Sequence, residues 1–144
     1  MKKILFVFLF TVMFLFSGCS QIEDTNGPDD YSIETFTEEE MLSGVGNVTS
    51  FVSGKMIFMN NYTYTCKKYS GIETLERFKK VDSGSITILP EVTSGNFRVL
   101  ILRDGALFCD CPINEEVTLR MPAGNYKIII VGESANYKLK YTIK

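Results

Sequence analysis

Residues 136–143 read NYKLKYTI, and the character of the side chains alternates there with a period of two. Tyr137, Leu139 and Tyr141 would lie on one face of a strand, and Lys138 and Lys140 on the other. Such alternation is typical of a β-strand with one buried and one solvent-facing side. The stretch therefore predicts an antiparallel sheet with a hydrophobic core beneath it.

Comparable stretches precede it, separated by turn signals every 8 to 12 residues. Asp104-Gly105 is a strong signal for a two-residue hairpin turn, and strands are expected to end at Pro90, Pro112 and Gly132. Residues 72–80 suit either a helix or a strand. The candidate strands are residues 51–59, 62–69, 85–89, 96–103, 106–110, 116–121, 126–131 and 136–143. About eight short strands predict an all-β fold, a single antiparallel β-sandwich or barrel.

The predicted core consists of the apolar faces of these strands. Its members are Ile86, Ile88, Phe97, Val99, Ile101, Phe108, Val117, Leu119, Tyr126, Ile128, Ile130, Tyr137, Leu139 and Tyr141. Leu100 and Leu102 occupy the alternate positions of one strand, so that strand is expected to be covered on both faces.

Four strand-and-turn segments carry a resemblance to known proteins: GSITI (84–88), GNFRV (95–99), LRDG (102–105) and GNYKI (124–128). With the ending at 132–141, residues 83–143 resemble the C-terminal half of small secreted or lipid-anchored bacterial β-sandwich proteins of uncharacterised function. The resemblance implies a jelly-roll-like sandwich and no particular activity.

The N-terminus has the features of an export signal. Lys2 and Lys3 precede an apolar run of 13 residues, 4–16, which is too short to cross about 30 Å of hydrocarbon and fits a secretory signal peptide. Residues 16–19 read FSGC and resemble the lipobox of bacterial lipoproteins, with Phe16 where that family usually has Leu. The resemblance implies cleavage before Cys19 and a diacylglycerol, palmitate-type anchor on its thiol. An uncleaved N-terminal anchor helix is the alternative.

Residues 20–40 contain eight acidic side chains and no basic one. Such a polar, one-signed stretch predicts a flexible spacer, with a binding tail for a basic partner or Ca2+ as the alternative. Thr37 and Glu40 have capping-box spacing and predict a short helical turn. The expected organisation is a signal peptide (1–18), lipidated Cys19 with an acidic tether (19–40), and a β-sandwich domain (41–144) with 13 basic and nine acidic residues.

Three cysteines remain beside Cys19, an odd number for an exported chain. One disulfide from Cys66 to Cys109 or Cys111 would leave one thiol, and three unpaired thiols are an equal alternative. A redox or soft-metal role for the Cys109-Asp110-Cys111 motif is a further one, although no histidine is present to activate a thiol.

One cluster suggests ligand binding. The cluster is aromatic and basic and contains Tyr62, Tyr64, Tyr69, Lys67 and Lys68. Tyr62 and Tyr64 share a strand face, and with Lys67 they form a candidate binding site for a glycan or another polymer. An ordinary half-exposed strand pair is the alternative.

Composition excludes several classes of function. The 144 residues include no histidine and no tryptophan, and the net charge is -2. Ser-His-Asp and Cys-His catalysis and His-ligated zinc are therefore absent, a broadly nucleic-acid-binding surface is not expected, and the chain has no phosphate loop or nucleophile elbow. We expect no enzymatic activity and no cofactor or metal.

The sequence thus predicts an exported lipoprotein, held to the cell membrane by its N-terminal lipid and facing the extracytoplasmic side. It would act as a non-catalytic binding or interaction module of the cell envelope, with an unidentified envelope protein or glycan as its partner. A carbohydrate-binding jelly-roll module and a structural accessory subunit of an envelope complex are the alternatives.

Overall fold

A computed structural model describes Ile33 and residues 35–144. The predicted signal peptide, Cys19 and most of the predicted tether lie outside the described residues. The described part contains one short helix and six strands: α1 (Glu38–Ser43), β1 (Val52–Phe58), β2 (Asn61–Lys80), β3 (Gly84–Arg103), β4 (Ala106–Cys111), β5 (Val117–Met121) and β6 (Gly124–Ile143). No helix of this part is long and apolar enough to span a bilayer.

The strands form one antiparallel sheet in the order β1-β2-β6-β3-β4, with β5 added to β3. The pairing of β2 with β6 shifts register between Cys66 and Gly71, and that of β3 with β6 shifts between Val92 and Asn96. The sheet bends at these bulges, and its two halves pack against each other around a shared core. One layer holds the first halves of β2 and β3 and the second half of β6, and the other layer holds the remaining halves. The predicted all-β antiparallel sandwich is confirmed.

The expected number of strands is wrong, because two pairs of the eight predicted strands are continuous, which leaves six. Residues 72–80 are a strand and belong to β2, and Pro90 and Gly132 lie inside β3 and β6. Pro90 is tolerated because the pairing of β3 with β5 stops at Ile88. Beyond Ile88, no strand on that side of β3 needs the amide N–H that proline lacks. The Pro90 carbonyl on that side accepts a hydrogen bond from the Asn114 amide at 2.7 Å.

The core lies between the two layers, where the predicted set is found. Eleven of its 14 residues are buried, and Phe108, Val117 and Leu119 are partly buried against them. Leu100 and Leu102 are buried on the opposite face, in a second cluster with Ile129 and Val131 that Met41 of α1 covers. The expectation of coverage on both faces is therefore confirmed.

Helix α1 is held at both ends. The Thr37 amide donates to Glu40 Oε2 at 2.8 Å and the Glu40 amide donates to Thr37 Oγ1 at 3.3 Å, which is the predicted capping box. Gly44 ends the helix in the left-handed region at φ 67°. Arg98 on β3 pairs with Glu38 at 3.2 Å and with Asp110 at 2.7 Å, and these contacts join the helix to the outer face of the sheet.

Candidate ligand-binding cavity

A cavity of about 350 Å³ lies between β1, the inner face of β2 and the segment before β1. Its lining residues are Val48, Ser50, Ser53, Gly54, Lys55, Tyr64, Thr65, Cys66, Tyr69, Glu73, Leu75 and Tyr137. The cavity exists because β1 pairs only with the first half of β2, up to Lys67. Beyond that point β2 meets the preceding segment through two isolated bridges, Val45 with Glu73 and Thr49 with Ser70, and the wall of the sandwich stays open.

The bulge in β2 directs Tyr69 toward this opening. Lys68 has a left-handed φ of 51° and its amide donates to Asn136 Oδ1 at 2.9 Å. Gly71 has φ 131°, and a Cβ there would lie 2.0 Å from the Asn47 carbonyl oxygen. Only glycine permits that close backbone approach. These contacts hold Tyr69 on the inner face of the sheet, where β2 and β6 lie beside the segment before β1.

Aromatic rings form the floor of the cavity. Tyr69 and Tyr137 meet edge to face with ring centroids 5.5 Å apart, and Tyr137 stacks on Phe97 at 4.2 Å. Tyr64 stacks beside Tyr141 at 6.0 Å. Paired aromatic rings of this kind add about 0.5–1.5 kcal/mol beyond their buried area, so the floor is a rigid surface.

The Tyr69 hydroxyl has no hydrogen-bond partner among the described residues. The side chain is only 2% exposed, although it lines the cavity. A buried polar atom without a partner is rare in native proteins and costs about 1–3 kcal/mol. The cavity wall therefore includes a tyrosine whose hydroxyl no described residue satisfies.

The titratable groups of the cavity are mostly neutral. Burial raises the pKa of Tyr69 and of Tyr137, and the nearby Glu73 carboxylate raises both further. Burial also raises the pKa of the Cys66 thiol, so no thiolate is stabilised there. Lys55, whose ammonium lies 5.1 Å from the centroid of the Tyr64 ring, and Glu73 supply one charge of each sign. The lining therefore offers neutral hydroxyl groups together with one positive and one negative side chain.

The structure separates the three residues predicted to bind a ligand. Tyr64 is in the cavity wall, and Tyr62 on the same face stacks on Tyr141 at 4.7 Å. Lys67 is exposed opposite Val52 on the outer face of β2, so it does not converge with the two tyrosines. Lys55 of the neighbouring strand provides the cation instead. Sequence reasoning missed Lys55, Glu73 and Tyr137, since no local pattern places β1 and β6 beside the bulge of β2.

All three described cysteines are free thiols. Cys66 lies on β2 in the cavity wall, whereas Cys109 and Cys111 share a face of β4, opposite Ile101 and Val99. Burial raises the pKa of Cys111, and the neighbouring Cys109 contributes. Within residues 35–144, no three acidic or cysteine side chains are grouped so that they could hold a metal ion.

The chain has low similarity to the solved structures that superpose on it. No family model matches the chain, and no curated protein matches it. An RmlC-like cupin protein from Desulfovibrio desulfuricans superposes with a TM-score of 0.36 and 16% identity, over 65% of this chain and 81% of the other. A cupin domain from Bordetella pertussis Tohama I superposes with a TM-score of 0.37 and 13% identity, over 65% and 92%. Neither similarity assigns a ligand or an activity.

Proposed function

We propose that this chain is a lipid-anchored, non-catalytic binding module of the cell envelope, and that its cavity takes a small, uncharged, polyhydroxylated ligand such as one sugar unit of an envelope glycan. The observation that carries the proposal is that Tyr69 lines the cavity and that its buried hydroxyl has no partner among the described residues. A ligand hydroxyl would satisfy it. That hydrogen bond would form only in the complex, so it would favour binding.

The lining supports this class of ligand. Ser50, Ser53 and Thr65 add hydroxyls around the tyrosines, and such groups exchange hydrogen bonds with sugar hydroxyls in either direction. Lys55 and Glu73 together carry no net charge, so neither an anion nor a cation is favoured overall. The volume of about 350 Å³ is at the lower end of the range for small-molecule sites and suits a single ring.

The anchor is supported by the residues before the described domain. Phe16-Ser17-Gly18-Cys19 has the form of a lipobox after an apolar run, and two acyl chains would hold the domain stably at the extracytoplasmic face. We expect a Cys19→Ala variant to leave the membrane fraction in cell fractionation. A variant that stays fully membrane-bound would contradict the lipoprotein proposal.

Calorimetric titration with neutral monosaccharides tests the ligand class. We expect binding to the chain that starts at residue 19, and a loss of affinity of about tenfold in Tyr69→Phe, which removes only the unpaired hydroxyl. Tyr126→Phe is the matched control, because that hydroxyl donates to the Pro122 carbonyl at 2.6 Å, away from the cavity. Absence of binding for every neutral sugar, or equal losses in both variants, would refute the proposed ligand class.

The structural accessory subunit remains a second candidate, favoured by the exposed apolar side chains of β1. Crosslinking in intact cells would then recover one partner in stoichiometric amount.

A further inference from the structure

Most of the large apolar side chains that are exposed lie in one short segment. Among the described residues, ten such side chains are exposed, and six of them fall between residues 51 and 59. We call these six the hairpin patch: Phe51, Val52, Met56, Ile57, Phe58 and Met59. Phe51 is 78% exposed and Met59 79%. Concentrated exposure of this kind marks an interaction surface.

The patch lies on the edge of the sandwich and at the tip of a hairpin. β1 is the first strand in the sheet order and pairs with β2 alone. All seven of its residues are exposed, and Met59 and Asn60 form the turn into β2. Apolar side chains therefore project from both faces of β1 and from the turn at its end. Such a distribution is expected of a hairpin that inserts into an apolar environment.

The charged residues within the hairpin segment are all basic, and Glu73 lines the cavity on the inner side with Lys55. Residues 44–72 contain three lysines, Lys55, Lys67 and Lys68, and no acidic residue. The Lys68 ammonium lies 6.0 Å from the centroid of the Phe51 ring, and Lys138 lies on the next strand, opposite Thr65. Lys67 and Lys68 form no ion pair with any residue of the described part, whereas Lys138 lies opposite Glu91 and interacts with its carboxylate. The charges of Lys67 and Lys68 are available to an anionic surface.

We propose that the β1–β2 hairpin docks this domain onto a bilayer that contains anionic lipid. The hairpin patch would enter the boundary between headgroups and acyl chains, and the lysines beside it would contact the headgroup phosphates. Lys67 lies opposite Val52 and Lys68 lies over Phe51, so apolar and cationic side chains are adjacent at this edge and could contact the two layers of such a surface. A second copy of the chain fits less well, because antiparallel pairing of two β1 edges would bring like-charged lysines together.

The length of chain before the domain allows this contact. Thirteen residues lie between Cys19 and Ile33, and the 14 steps of an extended chain cover about 3.5 Å each, or about 50 Å in all. A domain tethered at Cys19 could thus reach the membrane with its hairpin. The proposal does not depend on the cavity or on lipidation, because the hairpin patch should bind lipid by itself.

Vesicle co-sedimentation tests the docking with the chain from residue 19 onward carrying Cys19→Ser, which keeps every described residue and cannot be lipidated. We expect binding to vesicles of phosphatidylglycerol and phosphatidylcholine, weak binding to phosphatidylcholine alone, and release in about 0.5 M NaCl. Phe58→Ser with Met59→Ser should lower partitioning at least about tenfold. Lys67→Gln with Lys68→Gln should lower it about fivefold for each lysine removed.

The controls are Val81→Ser, which alters an exposed apolar residue in another turn, and Lys79→Gln at the far end of β2. Both should partition like the parent chain. The proposal is overturned if the parent chain does not bind anionic vesicles, or if the controls lose as much binding as the hairpin variants. Light scattering on the same samples must show a monomer, since a dimer that Phe58→Ser with Met59→Ser dissociates would assign the hairpin patch to self-association instead.

Discussion

The ring of Tyr69 lies directly against the backbone of Gly132. A Cβ added to Gly132 would be 2.6 Å from Cδ1 of Tyr69 and 3.2 Å from Cε1. Gly132 is itself paired with both Gly71 and Phe97, so it lies in the middle of β6 with a strand on each side. The absence of a side chain at this position lets Tyr69 reach the floor of the cavity.

We therefore expect Gly132→Ala to destabilise the protein by about 1–3 kcal/mol, because the buried Tyr69 ring cannot move aside without disturbing Tyr137 and Phe97. Urea unfolding measures this change. Gly54→Ala is the control, since nothing lies within 4 Å of a Cβ built there. An equal loss in both variants would show that the close contact with Tyr69 has no special weight.

Two tyrosine variants should differ in stability even without a ligand. Tyr69→Phe removes a hydroxyl with no partner among the described residues, and it should leave the free energy of unfolding unchanged or slightly increased. Tyr126→Phe removes a hydrogen bond of 2.6 Å to the Pro122 carbonyl and should cost about 1 kcal/mol. Thermal unfolding of both variants checks the order. A larger loss for Tyr69→Phe would mean that its hydroxyl is satisfied within the protein.

The turn between β3 and β4 should contribute to acid sensitivity. The Asn125 amide and side chain each donate to Asp104 Oδ1 at 3.0 Å, and these bonds lower the Asp104 pKa from its ordinary value of 3.8. Because the folded pKa is the lower one, the carboxylate stabilises the fold above about pH 4, and this stabilisation is lost as the pH falls through the folded pKa. Asp104→Asn should flatten the dependence of stability on pH in that range. Denaturation midpoints at a series of acid pH values would show it, and an unchanged slope would contradict the assignment.

The three described thiols should react with iodoacetamide at different rates. Cys109 is partly exposed, whereas Cys66 and Cys111 are buried and burial raises the pKa of each. Alkylation requires an accessible thiolate, so Cys109 should be modified first in the native protein. Peptide mass spectrometry over time gives the order, with the denatured chain as the reference. Fast modification of Cys111 would show that β4 opens readily.

Hydrophobic alternation was sufficient to predict the class of fold and most of its core. Leu139 and Tyr141 were assigned to a buried face, and Leu100 and Leu102 to a second one, because successive side chains of a strand point to opposite sides. Asp104-Gly105 predicted a hairpin, and both residues have the positive φ that such a turn requires, 50° and 87°. These features depend on residues that are close together in the sequence, so they can be predicted from the sequence.

Breaks in the strands were harder to judge. Pro90 and Gly132 are ordinary signals of a strand end, yet each lies within a strand of 20 residues. A proline can lie inside a strand when no neighbouring strand needs the amide N–H that proline lacks. Whether a glycine ends one depends on what approaches it, here the ring of Tyr69. Neither neighbour can be known before the strands are paired.

The sequence by itself therefore determined most of the buried faces of the strands and the place of the hairpin turn, since these follow from residue type and a period of two, and it contains no histidine for a histidine-dependent catalytic group. Only the tertiary structure decided that Tyr69, Lys55 and Tyr137 meet around a cavity while Lys67 faces away. Those residues come from three strands, and the register shift in β2 that brings Tyr69 inward depends on how β2 pairs with β6. Contacts between distant parts of the chain set that pairing, and no local pattern records them.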